Sequence, residues 1–168
     1  MRRFLMYGVL VAFSGCRPVD QSAAPELLSF GAADQIMTNV VTNLAVDGRR
    51  KNYVRADSAF TYQEAQRVEF ARMKVTIFDI EGQPAAELSA RRGVYTIGNR
   101  KLDARGGVVV VTPRGDSLQS TRITYDNTLW QFRGDSAFVF KAKTGLIEGK
   151  GFTADPNLRN FVPGRKRP

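Results

Sequence analysis

Histidine is absent from this sequence, and cysteine occurs once. Without histidine the chain lacks the commonest general base and the commonest metal ligand. That removes most hydrolytic triads and zinc sites. A single cysteine cannot close an internal disulfide. Acids are also scarce: 16 Asp and Glu face 25 Lys and Arg, for a formal charge of +9. A basic surface suits anionic partners, among them phosphorylated lipids, membrane headgroups and nucleic acid. The basic clusters are Arg49-Arg50-Lys51, Arg91-Arg92, Arg100-Lys101 and Arg165-Lys166-Arg167. They read first as solvated turns and a tail. Long apolar runs are missing too. The stretch at residues 4–13 is about ten residues, where a membrane-spanning helix needs about twenty.

What is present at the N-terminus is MRRFLMYGVLVAFSGC. Arg2 and Arg3 form a positive start, the apolar stretch follows, and the small residues Ser14 and Gly15 precede Cys16. The pattern resembles a lipobox, at which bacterial prolipoproteins are acylated on cysteine and cut just before it. Phe13 stands where Leu is usual. Residues 1–15 are thus expected to be a lipoprotein signal peptide, with Cys16 as the lipidated residue. A non-lipidated signal peptide or a buried apolar start are the alternatives. Cleavage removes two arginines and no acid, leaving +7 and roughly 150 residues, enough for an apolar core. Several acyl chains on one cysteine would anchor the chain to a membrane without a transmembrane helix. Residues 16–34 then read as a tether and 156–168 as a flexible basic tail.

Between these segments the signal is strand after strand. MKVTIFD puts Met73, Val75 and Ile77 on one face and Lys74, Thr76 and Phe78 on the other. STRITYD opposes Ile123 and Tyr125 to Arg122 and Thr124, and SAFVFKA opposes Phe138 and Phe140 to Val139. Period-2 runs rich in β-branched and aromatic residues indicate half-buried strands. Turn residues punctuate them at Asp47-Gly48, Glu81-Gly82, Gly98-Asn99, Pro113-Arg114-Gly115, Asp126-Asn127 and Thr144-Gly145. The spacing predicts about a dozen short antiparallel strands. Residues 59–74 tolerate a helix, but Tyr62-Gln63-Glu64-Ala65 favours a hairpin turn. A weak internal repeat runs through RADSAFTY, SARRGVYT and STRITYD. With Phe70, Ala104 and Phe132 taken as equivalent, its steps are 34 and 28 residues. Each unit alone exposes an apolar face, which stacking of units buries.

These units resemble the LptC family. The residues that carry the resemblance are Ala56-Asp57-Ser58-Ala59-Phe60, Ala90-Arg91-Arg92-Gly93-Val94-Tyr95 and Leu102-Asp103-Ala104-Arg105-Gly106-Gly107-Val108. The closing segment Ile147-Glu148-Gly149-Lys150-Gly151-Phe152-Thr153-Ala154 carries it as well. The resemblance implies an all-β, elongated antiparallel jellyroll like that of LptA over residues 35–155, two facing twisted sheets with an open groove. It implies a periplasmic module of lipopolysaccharide export on the inner membrane. Such a module receives lipopolysaccharide from an ABC transporter with permease subunits like LptF and LptG. It passes the lipid to an LptA-like bridge, joining end to end through edge strands. The family commonly carries an uncleaved transmembrane helix; a lipidated Cys16 takes its place here. Arg17 is not the Asp that favours inner-membrane retention in some bacteria, so outer-membrane residence stays open.

The residues expected to line the groove are Val75, Ile77, Leu88, Val108, Val110, Ile123, Tyr125, Phe138 and Phe140. A closed, dry sandwich core is the alternative, and Val108–Val111 is apolar on both faces. Val139, Ile147 and Phe152 are expected on a C-terminal edge that pairs with the partner, while residues 36–46 face the transporter. Trp130 reads as a core anchor, and Gly106-Gly107 as a bulge or close strand approach. Arg91, Arg92 and Arg105 read as solvated edges, or as contacts to lipid phosphates. An enzyme is not expected. Asp57, Asp103, Asp126 and Asp135 sit where turns and strand edges favour Asp, no nucleophile has a base, and no cofactor, metal or nucleic acid is implied. The competing function is a structural envelope lipoprotein without lipid cargo.

Overall fold

The computed structural model describes residues 33–46 and 49–164, with 44–46 and 49–51 as backbone only. The signal segment, Cys16 and the last four residues lie outside the described residues. Nine strands follow one another: β1 (Gln35–Val46), β2 (Arg49–Tyr62), β3 (Arg67–Phe78), β4 (Pro84–Thr96), β5 (Lys101–Val111), β6 (Ser117–Asp126), β7 (Gln131–Ala142), β8 (Gly145–Ala154) and β9 (Val162–Pro163). They form one antiparallel sheet in chain order, each strand paired with the next and the last not returning to the first. The jellyroll class expected from the sequence is therefore present, as one continuous unclosed sheet. Residues 63–66 form the expected hairpin turn.

The predicted dozen strands are nine because most are long, and each long strand is interrupted midway. The ladder from β2 to β3 pairs Ala56 with Met73 and Ser58 with Ala71, passing over Asp57 and Arg72. From β3 to β4 it passes over Arg72 and Arg91. The register shifts between Ser89 and Arg92, between Arg105 and Val108, between Ser120 and Thr124, and between Gly134 and Ala137. These interruptions fall side by side on neighbouring strands and draw a crease across the sheet. Asn39, Arg72, Gly106, Gly107 and Gly151 take left-handed φ along it, as bulges do.

In β3, β4 and β6 the crease shifts the inward parity. In β3 the buried residues are Met73, Val75 and Ile77 on one side of it and Phe70 on the other. In β4 the alternating buried residues are Ala86, Leu88 and Ala90, with Ala85 buried as well near the strand's start, then Gly93; in β6, Leu118, then Ile123 and Tyr125. Side chains alternate strictly along a strand, so a half-strand can face the same interior after the bend only if one residue is gained or lost. In β5, Gly106 and Gly107 form a two-residue bulge that leaves parity unchanged: Leu102 and Ala104 before it and Val108 and Val110 after it all face inward, while Val111 is exposed. The two halves of the sheet bury one apolar cluster that runs from Val40 to Leu158.

The turns carry the true repeat. Four-residue turns 63–66, 97–100 and 127–130 each end on a non-glycine residue in the left-handed region: Gln66, Arg100 and Trp130. Matching these places Gly134, not Phe132, opposite Phe70 and Ala104. On the other side, Asp79 accepts hydrogen bonds from the Glu81 and Gln83 amides, and Gly82 and Gly115 supply the positive φ that their loops require.

Candidate functional site

All nine residues expected to line the groove are buried, Phe140 being the most accessible at 6%. They come from β3 to β7 and belong to one cluster. Tyr125 and Phe132 pack with ring centroids 5.3 Å apart. A polar group closes one region of this interior. Asn127, in the turn before β7, accepts hydrogen bonds from Asn52 Nδ2 at 3.3 Å and from the Tyr125 hydroxyl at 3.4 Å. Burial pushes the Tyr125 phenol far above its ordinary range, with the nearby Asp126 charge adding to the effect. Asn52 Oδ1 and Asn127 Nδ2 are buried without a partner. Trp130 is half-buried against the cluster, its indole donating to Phe78 O at 3.4 Å.

The carboxylates are occupied. Asp57 of β2 pairs with Arg72 of β3 along the crease. Asp103 takes Arg105 at 2.7 Å and two bonds from Arg122 at 2.9 and 2.7 Å. Burial acts to raise the Asp103 pKa, but the bonds from Arg122 and Arg105 outweigh it and hold the carboxyl below its usual value. Asp126 is lowered in the same way: burial opposes, and the Leu129 amide and Lys101 prevail. A depressed folded-state pKa gives stabilisation that is complete above the ordinary carboxylate range and is lost as pH falls through the lowered value. Asp103→Asn should therefore lower the melting temperature at pH 7 while shrinking the difference between pH 7 and pH 3, read from thermal scans at both.

The C-terminal end departs from the sequence reading in two ways. Val139 is not on an edge. It lies in β7 between Gln119 of β6 and Glu148 of β8, so alternation alone could not reveal its neighbours. Phe152 is in β8 but is buried at 3% and pairs with Pro163. Ile147 is in β8 and exposed, and residues 145–150 pair with β7 alone among the described residues. The second departure is the tail. Residues 156–164 do not fray; they fold back over the apolar interior. Pro156 and Leu158 are buried, and Phe161 stacks on Phe140 at 4.3 Å and meets Phe138 at 5.2 Å and Phe152 at 5.7 Å. Beside this strap is an open cavity of about 470 Å³, with Phe140, Ile147 and Phe161 in its lining and Arg114, Lys143 and Arg159 among its cations. The spacing of Pro156, Leu158 and Phe161 after Phe152 was the signal available in the sequence, hidden among prolines and asparagines.

Comparison with known proteins bears on this geometry. The family model described as LptC, "Lipopolysaccharide-assembly, LptC-related", matches residues 13–162. Among solved structures the chain is similar to LptH of Pseudomonas aeruginosa, the LptA-homologous periplasmic component of the lipopolysaccharide transport device. The TM-score is 0.52 at 13% identity, over 68% of this chain and 82% of that one. At that identity the likeness speaks for the fold. No curated protein matches.

Proposed function

From the premise that this chain belongs to the LptC-related family of lipopolysaccharide-assembly proteins, we propose that it hands lipopolysaccharide along inside its creased sheet. It would receive the lipid from an ABC transporter with LptF- and LptG-like permease subunits and deliver it to an LptA-like jellyroll. The observation that carries this reading is one apolar interior, shared by the eight strands β1 to β8, inside a sheet whose first and last long strands do not pair with each other. Acyl chains need only such a surface; no catalytic group is required. Cys16 would hold the module at the periplasmic face of a membrane by its acyl chains, the inner one for a partner of the transporter. Intact mass of the membrane-extracted chain checks this: an acylated Cys16 at the mature N-terminus is expected, and Cys16→Ala should release the protein from membranes.

The burial of all nine lining residues favours a second reading, a closed sandwich with no cargo. Photo-crosslinking separates the two. A probe at Ile123, Tyr125 or Phe138, all facing inward, is expected to capture lipopolysaccharide in cells. The same probe at Arg122, which is exposed, or at Thr124 on the same outward face should not. Capture from neither face would establish the closed sandwich.

Delivery would use the unpaired part of β8. Strand addition supplies main-chain hydrogen bonds to an exposed edge. Ile147→Pro removes a donor there, and Ile147→Lys adds the kind of charge that blocks edges. Both are expected to reduce pull-down of an LptA-like partner while thermal unfolding shows a folded chain.

A further inference from the structure

Half of the β8 edge is already taken. The short strand β9 pairs Pro163 with Phe152 and Val162 with Thr153, and Gly164 donates to Gly151 O at 2.6 Å. The approach is close enough that a Cβ on Gly164 would lie 2.8–2.9 Å from the carbonyl oxygens of Lys150 and Gly151. The strap leading into β9 is shaped from within. Asp155 accepts from the Arg159 and Asn160 amides and from the Asn160 side chain, and Leu158 takes a left-handed φ of 53°. One side-chain tie reaches it from the β5–β6 loop, Arg114 Nη2 to Asn157 O at 2.9 Å.

The strap resembles a partner strand in what it covers but not in how much it holds. It offers a two-residue ladder, and Pro163 contributes no donor to it. Its apolar anchors are Pro156, Leu158 and Phe161, and Phe161 is only half-buried. Val162 is 59% exposed. A strand added along the whole of β8 would use all ten of its residues and could place its own apolar side chain where Phe161 stacks. Residues 145–150 give such a strand a foothold before the strap moves.

We propose that residues 156–164 are a resident competitor for the partner strand. They close the C-terminal edge and the adjoining aromatic cluster of Phe138, Phe140 and Phe152 in the free protein, and they leave when an LptA-like strand extends along β8. This rests on the proposed docking at β8, and the tests keep the two apart.

Native-state hydrogen exchange of the full chain addresses the strap alone. Its amides, including Gly164, are expected to exchange through a local opening, far faster than those of β5 and β6. Exchange only through global unfolding would make the strap an integral part of the fold and overturn the inference. The second test is capture of a purified LptA-like jellyroll that carries a photo-crosslinker on its first strand. Phe161→Ser, which loosens the strap, is expected to raise capture. Thr153→Cys with Val162→Cys, two residues opposite each other in the ladder, locks the strap when oxidised. The lock should cut capture by about tenfold as the competent fraction falls, with recovery on reduction and the disulfide verified by mass. Capture that Ile147→Lys abolishes but the verified lock leaves unchanged would overturn the competitor alone. No capture by the wild type or by any variant would overturn the docking reading together with it.

Discussion

Phe132→Ala is expected to lower the unfolding free energy by about 3–5 kcal/mol, a large share of the roughly 5–15 kcal/mol that holds most domains folded. Phe132 is completely buried, its ring lies 5.3 Å from that of Tyr125, and it pairs with Ala154 of β8. Truncation leaves a void in β7 between Tyr125 of β6 and Ala154 of β8. Its ladder partner Ala154, buried at 1%, has no longer side chain to fill the void. Urea titration at constant slope would show the loss as a lower midpoint. Leu129→Ala, three residues earlier in the turn and 66% exposed, should change the unfolding free energy by less than about 0.5 kcal/mol. Equal effects at the two positions would mean that the β6–β7 hairpin is turned the other way.

Deleting Arg72 should cost more than any substitution at that position. Arg72 is exposed, takes φ of 46° and pairs with Asp57. Arg72→Gly removes an exposed ion pair worth at most about 1 kcal/mol and relieves the left-handed strain of a non-glycine residue, about 1–2 kcal/mol. The result should be neutral or slightly stabilising. Deletion acts on parity instead. It would turn Lys74 and Thr76 into the interior and Val75 and Ile77 out of it, unless the half-strand slides out of its pairing with β2 and β4. Circular dichroism and thermal unfolding of the two variants read this directly: a cooperative transition for Arg72→Gly and none for the deletion.

These residues also mark how far the sequence could be followed. Each half-strand was legible because alternation is local: Met73, Val75 and Ile77 announce a face, as do Ile123 and Tyr125. The crease was not legible as such. A parity change spread over Ala71-Arg72, Arg91-Arg92 and Ser120-Thr121 resembles the end of one strand and the start of another, so long strands were divided and counted as more. Val139 shows the same limit from another side. Its own run establishes a strand but carries no information on whether neighbours lie on one flank or both. The strap was missed because Pro156, Asn157, Asn160 and Pro163 suppress every periodic signal. Its order comes from Leu158 and Phe161 finding an aromatic cluster supplied by β7 and β8. The family's motifs, by contrast, lie within strands at and beside the crease, where Asp57, Arg91, Gly106 and Gly107 fall on it.

The unlike edges of the sheet have a consequence for the protein's own behaviour at high concentration. Among the described residues β1 pairs only with β2 at one side of the strand order, and residues 145–150 of β8 pair only with β7 at the other; such a body is the analogue of a bifunctional monomer whose two reactive groups are complementary. Head-to-tail joining of such units generates open chains rather than closed rings unless a rotation happens to bring the ends together. The proposed assembly with a different jellyroll and polymerisation with itself would draw on the same backbone groups. In that comparison β9 is a protecting group. It is attached to the unit it protects and covers part of one reactive end, and under the proposal above it would come off reversibly because few bonds hold it. Filament growth would be limited by how often that group comes off rather than by how strongly two edges attract each other.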